Sequence, residues 1–184
     1  MSISSNRIPY VNLQAQWKEE KDDLLPIIEK VLSRGQYVGG EELDKFEANI
    51  AKLCGVKYAT GLNSGTDALI FALHLSGIGK GDEVITPPNS FISSTSAVIN
   101  VGATPVFVDV LPDQNIDPSK IEEAITKNTK VIMPVHLTGR ICDMGPIMKI
   151  ANKNRNKYLI IDTSQDIKKV EKLIYYNVMK ILKR

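Results

Sequence analysis

From residue 17 to residue 33 apolar side chains recur at helical spacing. Leu24, Leu25, Ile27, Ile28, Val31 and Leu32 fall on one side, and Ser33-Arg34-Gly35 closes the segment. A second amphipathic helix is predicted over 41–54, with Leu43, Phe46, Ile50 and Leu53 on its stripe and Gly55 just past its end as a C-cap. Beyond Gly55 the pattern changes. Short apolar runs at 57–61, 83–86, 105–108, 130–135 and 158–162 read as strands, and the segments at 65–76, 91–101, 118–126 and 143–153 read as helices. Asp117-Pro118 supplies an N-cap followed by proline at the first helical position. Continuously apolar strands that alternate with helices imply an α/β fold, a mainly parallel sheet with helices on both faces. Right-handed crossovers then bring the strand-to-helix loops to one edge, outside the strands' carboxyl ends, where such folds bind ligands. The final segment, 166–183, carries Ile167, Val170, Leu173, Ile174, Val178, Ile181 and Leu182 at helical spacing, with lysines between them.

Composition narrows this picture. A chain of 184 residues with 43% hydrophobic and 24% charged residues is an ordinary globular sequence, which excludes disordered, collagen-like and coiled-coil classes. A net charge of +2 gives no reason to expect nucleic acid or an anionic membrane as a partner. The charge is uneven, however. Lys168, Lys169, Lys172, Lys180, Lys183 and Arg184 stand against only Asp166 and Glu171, so residues 166–184 form a basic amphipathic tail foreign in composition to residues 1–165. Cys54 and Cys142 show no metal-ligand spacing and are expected to be buried free thiols in a reducing compartment. Residues 1–10 lack the apolar core of a signal peptide and no run reaches the length of a membrane span, so a cytoplasmic location is expected.

Three places carry candidate chemistry. In Thr60-Gly-Leu-Asn-Ser-Gly-Thr-Asp-Ala-Leu-Ile70 a strand ends, a turn follows and an apolar helix begins. The first N–H groups of that helix lack internal partners and, with the helix dipole, suit a phosphate. Gly65 allows close approach and the Thr66 hydroxyl adds a donor; the other reading of the same residues is that Ser64 or Thr66 is only an N-cap. Asp162 ends the strand 158–162, shortly before Gln165, and is either a partner for a cationic ligand nitrogen or metal, or a cap. Phe91, in Pro87-Pro-Asn-Ser-Phe91 after the strand 83–86, either covers a flat ring or joins the core. His74 reads as a core or interface residue and His136 as unremarkable. No G-x-S-x-G, P-loop or dinucleotide fingerprint is present, and no metal site is assigned.

In order along residues 8–165, several segments resemble the DegT/StrS family of pyridoxal-phosphate-dependent sugar aminotransferases. They are Gly35-Gln-Tyr-Val-Gly-Gly40 with Phe46-Glu47, Asn63-Ser-Gly-Thr-Asp-Ala-Leu69, and Gly77-Ile-Gly-Lys-Gly-Asp-Glu-Val-Ile-Thr-Pro87. Ser90-Phe91, Gly102-Ala-Thr-Pro-Val-Phe-Val-Asp109, Thr129-Lys-Val-Ile-Met-Pro-Val-His-Leu-Thr-Gly139 and Ile160-Ile-Asp162 with Gln165 complete the series. The resemblance implies the N-terminal part of a fold-type I large domain over 1–165. It implies pyridoxal 5'-phosphate as cofactor and transfer of an amino group, usually from glutamate, to a nucleotide-linked keto sugar, by a homodimer. It assigns Gly65 and Thr66 to the cofactor phosphate, Phe91 to stacking on the pyridine ring, Asp162 to the ring nitrogen and Gln165 to the ring 3-oxygen.

The sequence also departs from that pattern. Ile161 stands where family members usually have Glu before the ring-pairing Asp, and Asp166-Ile-Lys-Lys169 replaces the small residues and glycine that normally follow the Gln. None of Lys168, Lys169, Lys172, Lys180 or Lys183 stands in the context of the Schiff-base lysine, so no catalytic residue is assigned. The expectation is a fragment, inactive alone, whose interior strands are incomplete and whose tail comes from a shifted reading frame or an early stop. The alternative is a non-catalytic binding or dimerisation module derived from the family.

Overall fold

A computed structural model describes residues 10–153. The strand expected at 158–162, with Asp162 and Gln165, and the helix expected at 166–183 lie outside the described residues. The chain forms two compact units that meet in sequence between Ala59 and Thr60.

The first unit contains helices α1, Leu13–Arg34, and α2, Glu41–Leu53. Helix α1 starts four residues earlier than its apolar stripe suggests, because the Asn12 side chain accepts the Ala15 N–H at 3.2 Å and caps it. Pro26 lies inside this helix. Gly35 ends it in the left-handed conformation, φ 70°, which costs glycine little. Arg34 bonds Glu41 at 3.1 Å and pairs with Glu42, which ties the end of α1 to the start of α2. No residue of α1 is buried, and Leu24, Leu25, Ile27, Ile28 and Leu32 are exposed. Cys54, expected to be buried, is exposed: it caps α2 after a helix that buries only Ala51.

In the second unit, helix α3, Gly65–Leu75, leads to strand β1, Glu83–Thr86. Helix α4, Ser93–Asn100, strand β2, Thr104–Phe107, helix α5, Pro118–Ala124, strand β3, Thr129–Ile132, and helix α6, Met144–Lys153, follow in turn. The strands form one parallel sheet in the order β2-β1-β3, with Val84 opposite Pro105 on one side and Val131 on the other. Central β1 is buried from Val84 onward, as a strand covered on both faces must be. Val84 packs with Leu73 of α3 and Ala97 and Val98 of α4. Ile85, on the opposite side of the pleat, packs with Ile121 of α5 and Ile147 of α6. Each such fully buried aliphatic contributes about 1.5–3 kcal/mol.

Helix α3 ends in a Schellman motif. Gly77 at φ 76° donates to the His74 carbonyl at 2.9 Å, and Ile78 donates to that of Leu73 at 3.1 Å. Leu73 and Ile78 meet in the core, and this contact turns the chain toward β1. Gly102 performs the same turn between α4 and β2.

The segment 57–61 is not a strand. A strand exists only within a ladder, and the sheet of the described residues consists of β1, β2 and β3 alone; Tyr58 is exposed. Strand β3 stops at Ile132 rather than 135, and although Met133 still donates to the Ile85 carbonyl at 2.7 Å, Pro134 has no N–H to continue. Helix α4 begins at Ser93, which leaves Phe91 in the loop. His74 is exposed, so it is not a core residue.

Candidate cofactor site

Parallel connection through α4 and α5 sends the chain past the carboxyl ends of β1 and β2 to start each helix. The first turn of α3 lies at the same edge, since its Thr66 meets Ser93 at the start of α4. Here Ser64, in extended conformation, is the N-cap: its hydroxyl accepts the Asp67 N–H at 3.1 Å and its carbonyl accepts the Ala68 N–H. Capping is therefore done by Ser64 and not by Thr66. The N–H groups of Gly65 and Thr66 have no acceptor among the described residues and remain as the free donors of the helix end.

The Thr66 hydroxyl turns instead to Ser93, the first residue of α4, with the two oxygens 2.6 Å apart. Two hydroxyls that share one hydrogen bond still have one O–H hydrogen to donate. Two amides and one hydroxyl hydrogen thus stand at the positive ends of two helices. Nothing lies within 4 Å of where a Cβ on Gly65 would be, and its backbone is not left-handed, so the local fold does not itself demand glycine there. What the missing side chain leaves is open space beside the first amide, which fits a phosphate. Ser93 was not singled out from sequence; the run of serines after Phe91 is its only local signal.

Phe91 stands 77% exposed, two residues before Ser93, so it is not part of the core. Its carbonyl accepts the Ser94 N–H at 3.1 Å. Pro87, earlier in the same loop, is buried. Thr86, on the same side of β1 as Val84, is fully buried and its hydroxyl has no hydrogen-bond partner among the described residues.

Asp109, His136 and Cys142, in the loops after β2 and β3, are tied to neighbours. The Val110 N–H, then Lys120 at 3.1 Å, hold the Asp109 carboxyl below the usual carboxylate range. His136 Nδ1 accepts the Cys142 N–H at 3.1 Å, so it serves to hold its loop. Burial, and secondarily the charge of Asp113, push the Cys142 thiol up, and its Sγ lies 3.1 Å from the Val135 carbonyl. Cys142 is thus the buried free thiol that composition led one to expect. No group of metal-ligating side chains occurs among the described residues.

A mainly parallel α/β sheet flanked by helices is the fold this chain shares with solved aminotransferases in their pyridoxal-phosphate and PMP forms. The solved structure of NtdA from Bacillus subtilis with bound cofactor PMP superposes on 86% of this chain and 36% of its own, with a TM-score of 0.79 and 39% identity. Residues 18–169 match the DegT/DnrJ/EryC1/StrS aminotransferase family, and the chain belongs to it. It is 41% identical over 160 residues to a dTDP-3-amino-3,4,6-trideoxy-alpha-D-glucose transaminase of Streptomyces venezuelae, covering 86% of this chain and 42% of the relative. It is 44% identical over 155 residues to a dTDP-3-amino-3,6-dideoxy-alpha-D-galactopyranose transaminase of Aneurinibacillus thermoaerophilus, covering 83% of this chain and 42% of the relative. The chain thus spans less than half the length of these relatives. No helix among the described residues is long and apolar enough to cross a membrane.

Proposed function

We propose that this protein takes part in moving an amino group from an amino acid, glutamate by family resemblance, to a nucleotide-linked keto sugar with pyridoxal 5'-phosphate as cofactor. In this reading Gly65 and Thr66 hold the cofactor phosphate, Phe91 covers its ring, Asp162 pairs with the ring nitrogen and Gln165 contacts the ring 3-oxygen. The observation that carries it is the meeting of Thr66 and Ser93 at 2.6 Å beside the uncommitted amides of α3. Relatives named as dTDP-amino-sugar transaminases support the substrate class.

When bound, the cofactor supplies an electron sink for charge that develops at the substrate α-carbon. The chain's own residues orient it. The amides of Gly65 and Thr66 and the shared hydroxyl hydrogen donate to the phosphate oxygens at the positive ends of two helices. The exposed face of Phe91 gives a flat ring apolar surface in place of water. A carboxylate at Asp162 would keep the ring nitrogen protonated. A homodimer in the cytoplasm belongs to the same reading. None of Lys168, Lys169, Lys172, Lys180 or Lys183 stands in the Schiff-base context, so this chain alone is expected to bind the cofactor without covalent attachment and to turn over no substrate.

The test is calorimetric titration of the full 184-residue chain with pyridoxal phosphate, with pyridoxal, and with inorganic phosphate. Pyridoxal phosphate should bind more tightly than either part. Thr66→Ala combined with Ser93→Ala removes the shared hydroxyl hydrogen. The double variant should weaken pyridoxal phosphate by about 10-fold or more, the value of one hydrogen bond to a charged group, and leave pyridoxal unchanged. Equal binding of pyridoxal and its phosphate, or indifference to the loss of both hydroxyls, would overturn the phosphate assignment. Turnover with glutamate and a nucleotide keto sugar would overturn the expectation that the chain alone is inactive.

A further inference from the structure

We propose that Asn89 is a positioning residue that sets the place of Phe91 by fastening its loop to Gln114; the proposal rests on the reading of Phe91 as the cover of the cofactor ring. Phe91 is exposed, so packing of its own ring does not decide where it stands. Its loop is held on the far side by α4, where Ser94 and Ser96 donate to the carbonyls of Phe91 and Ile92 at 3.1 and 2.9 Å. On the near side Pro87 and Pro88 have no N–H to donate. There the fastening falls to Asn89, whose Nδ2 donates to the Gln114 carbonyl at 3.0 Å and lies 3.3 Å from the Gln114 side-chain Oε1. Among the described residues Asn89 is the one side chain of 87–92 that hydrogen-bonds to another loop.

The acceptor is itself firmly placed. Gln114 has φ 72°, a left-handed conformation that costs a non-glycine residue about 1–2 kcal/mol and persists only where its surroundings impose it. They do so here. Gln114 donates its N–H to the Leu111 carbonyl and Leu111 donates to that of Asn115, both at 2.8 Å. Asn115, 1% exposed, donates through Nδ2 to the Arg140 carbonyl and accepts the Leu137 N–H at Oδ1, both at 3.3 Å. The loops after β1, β2 and β3 are thereby laced together at the carboxyl edge. Asn89 is the stitch that reaches Phe91.

Asn89→Ala and Phe91→Ala, singly and combined, test this in the full chain, with affinities for pyridoxal phosphate and for inorganic phosphate as readouts. Asn89→Ala should weaken pyridoxal phosphate by about 3- to 10-fold, the value of an ordinary hydrogen bond, and leave inorganic phosphate unchanged. Phe91→Ala should weaken pyridoxal phosphate further, and adding Asn89→Ala to it should cost nothing more, because the one acts through the other. A neutral Asn89→Ala beside a damaging Phe91→Ala overturns this proposal alone. Additive losses, or an equal loss of phosphate affinity, overturn it as well, since they mark a general structural role. A neutral Phe91→Ala overturns the ring-covering reading and this proposal with it.

Discussion

Gly65 occupies the first position of α3 without a left-handed φ and without a neighbour that a Cβ would strike. A residue whose backbone and packing would both tolerate alanine is glycine for some other reason, and close approach of a ligand to its N–H is the one the site supplies. The two effects of Gly65→Ala therefore have opposite signs. Stability of the ligand-free chain should stay level or rise by at most about 1 kcal/mol, because alanine loses less conformational freedom in a helix. Affinity for inorganic phosphate should fall. Denaturant unfolding and phosphate titration of one variant read both, and a destabilised variant with unchanged affinity would make Gly65 a structural glycine. This residue and Thr66 are legible in sequence because a polar, glycine-containing turn and the start of an apolar helix are contiguous there. Ser93 is not, since its pairing with Thr66 spans 27 residues and exists only once α3 packs on α4. The two cysteines make the same point: both are single thiols in mixed sequence, and only the packing around Cys142 separates it from exposed Cys54.

At the scale of elements, local chemistry determined what was readable. Asp117-Pro118 announces α5, and the structure starts the helix there, with the Asp117 carboxylate accepting the Ser119 N–H and hydroxyl at 2.9 and 2.7 Å. Those bonds to Ser119 hold the Asp117 carboxyl below its ordinary range. The folded chain then binds a proton at Asp117 more weakly than the unfolded chain. The contribution of this cap is present above the ordinary carboxylate pKa and is lost as pH falls through the lower folded value. Asp117→Asn keeps a capping oxygen that does not titrate. Its stability relative to wild type should be lowest at neutral pH and should improve as the solution is acidified below about pH 4. Unfolding curves from pH 7 to pH 3 measure this, and parallel pH profiles for the two chains would remove the role assigned to the charge. Helices with caps in the sequence were thus legible to within a few residues. Strands were less so: 57–61 has an apolar residue in the right places but no ladder among the described strands, and 130–135 is cut short by a proline that ends hydrogen bonding without ending the apolar run.

For the molecule as a whole, the alternation of apolar strands and helices carried the parallel order and the two-faced core of the second unit, because β1 must be apolar on both sides to lie in the middle. It could not say what faces the stripe of α1, since an amphipathic pattern predicts a helix but not its cover. The division into units sharpens the functional reading, because the proposed phosphate cradle lies wholly in the second unit and α1 and α2 wholly in the first. A ligand stabilises what it binds by mass action, about 2.7 kcal/mol at a free concentration 100 times its dissociation constant. Hydrogen exchange with and without pyridoxal phosphate should therefore slow at the start of α3 and α4, where Gly65, Thr66 and Ser93 contribute the donors. Amides of α1 and α2 should exchange at unchanged rates, since no residue of those helices belongs to the cradle. Slowing confined to α1 and α2 would move the site out of the second unit. Slowing of both units alike would instead mean that they unfold together, so that the boundary at Ala59 and Thr60 separates contacts without separating stability.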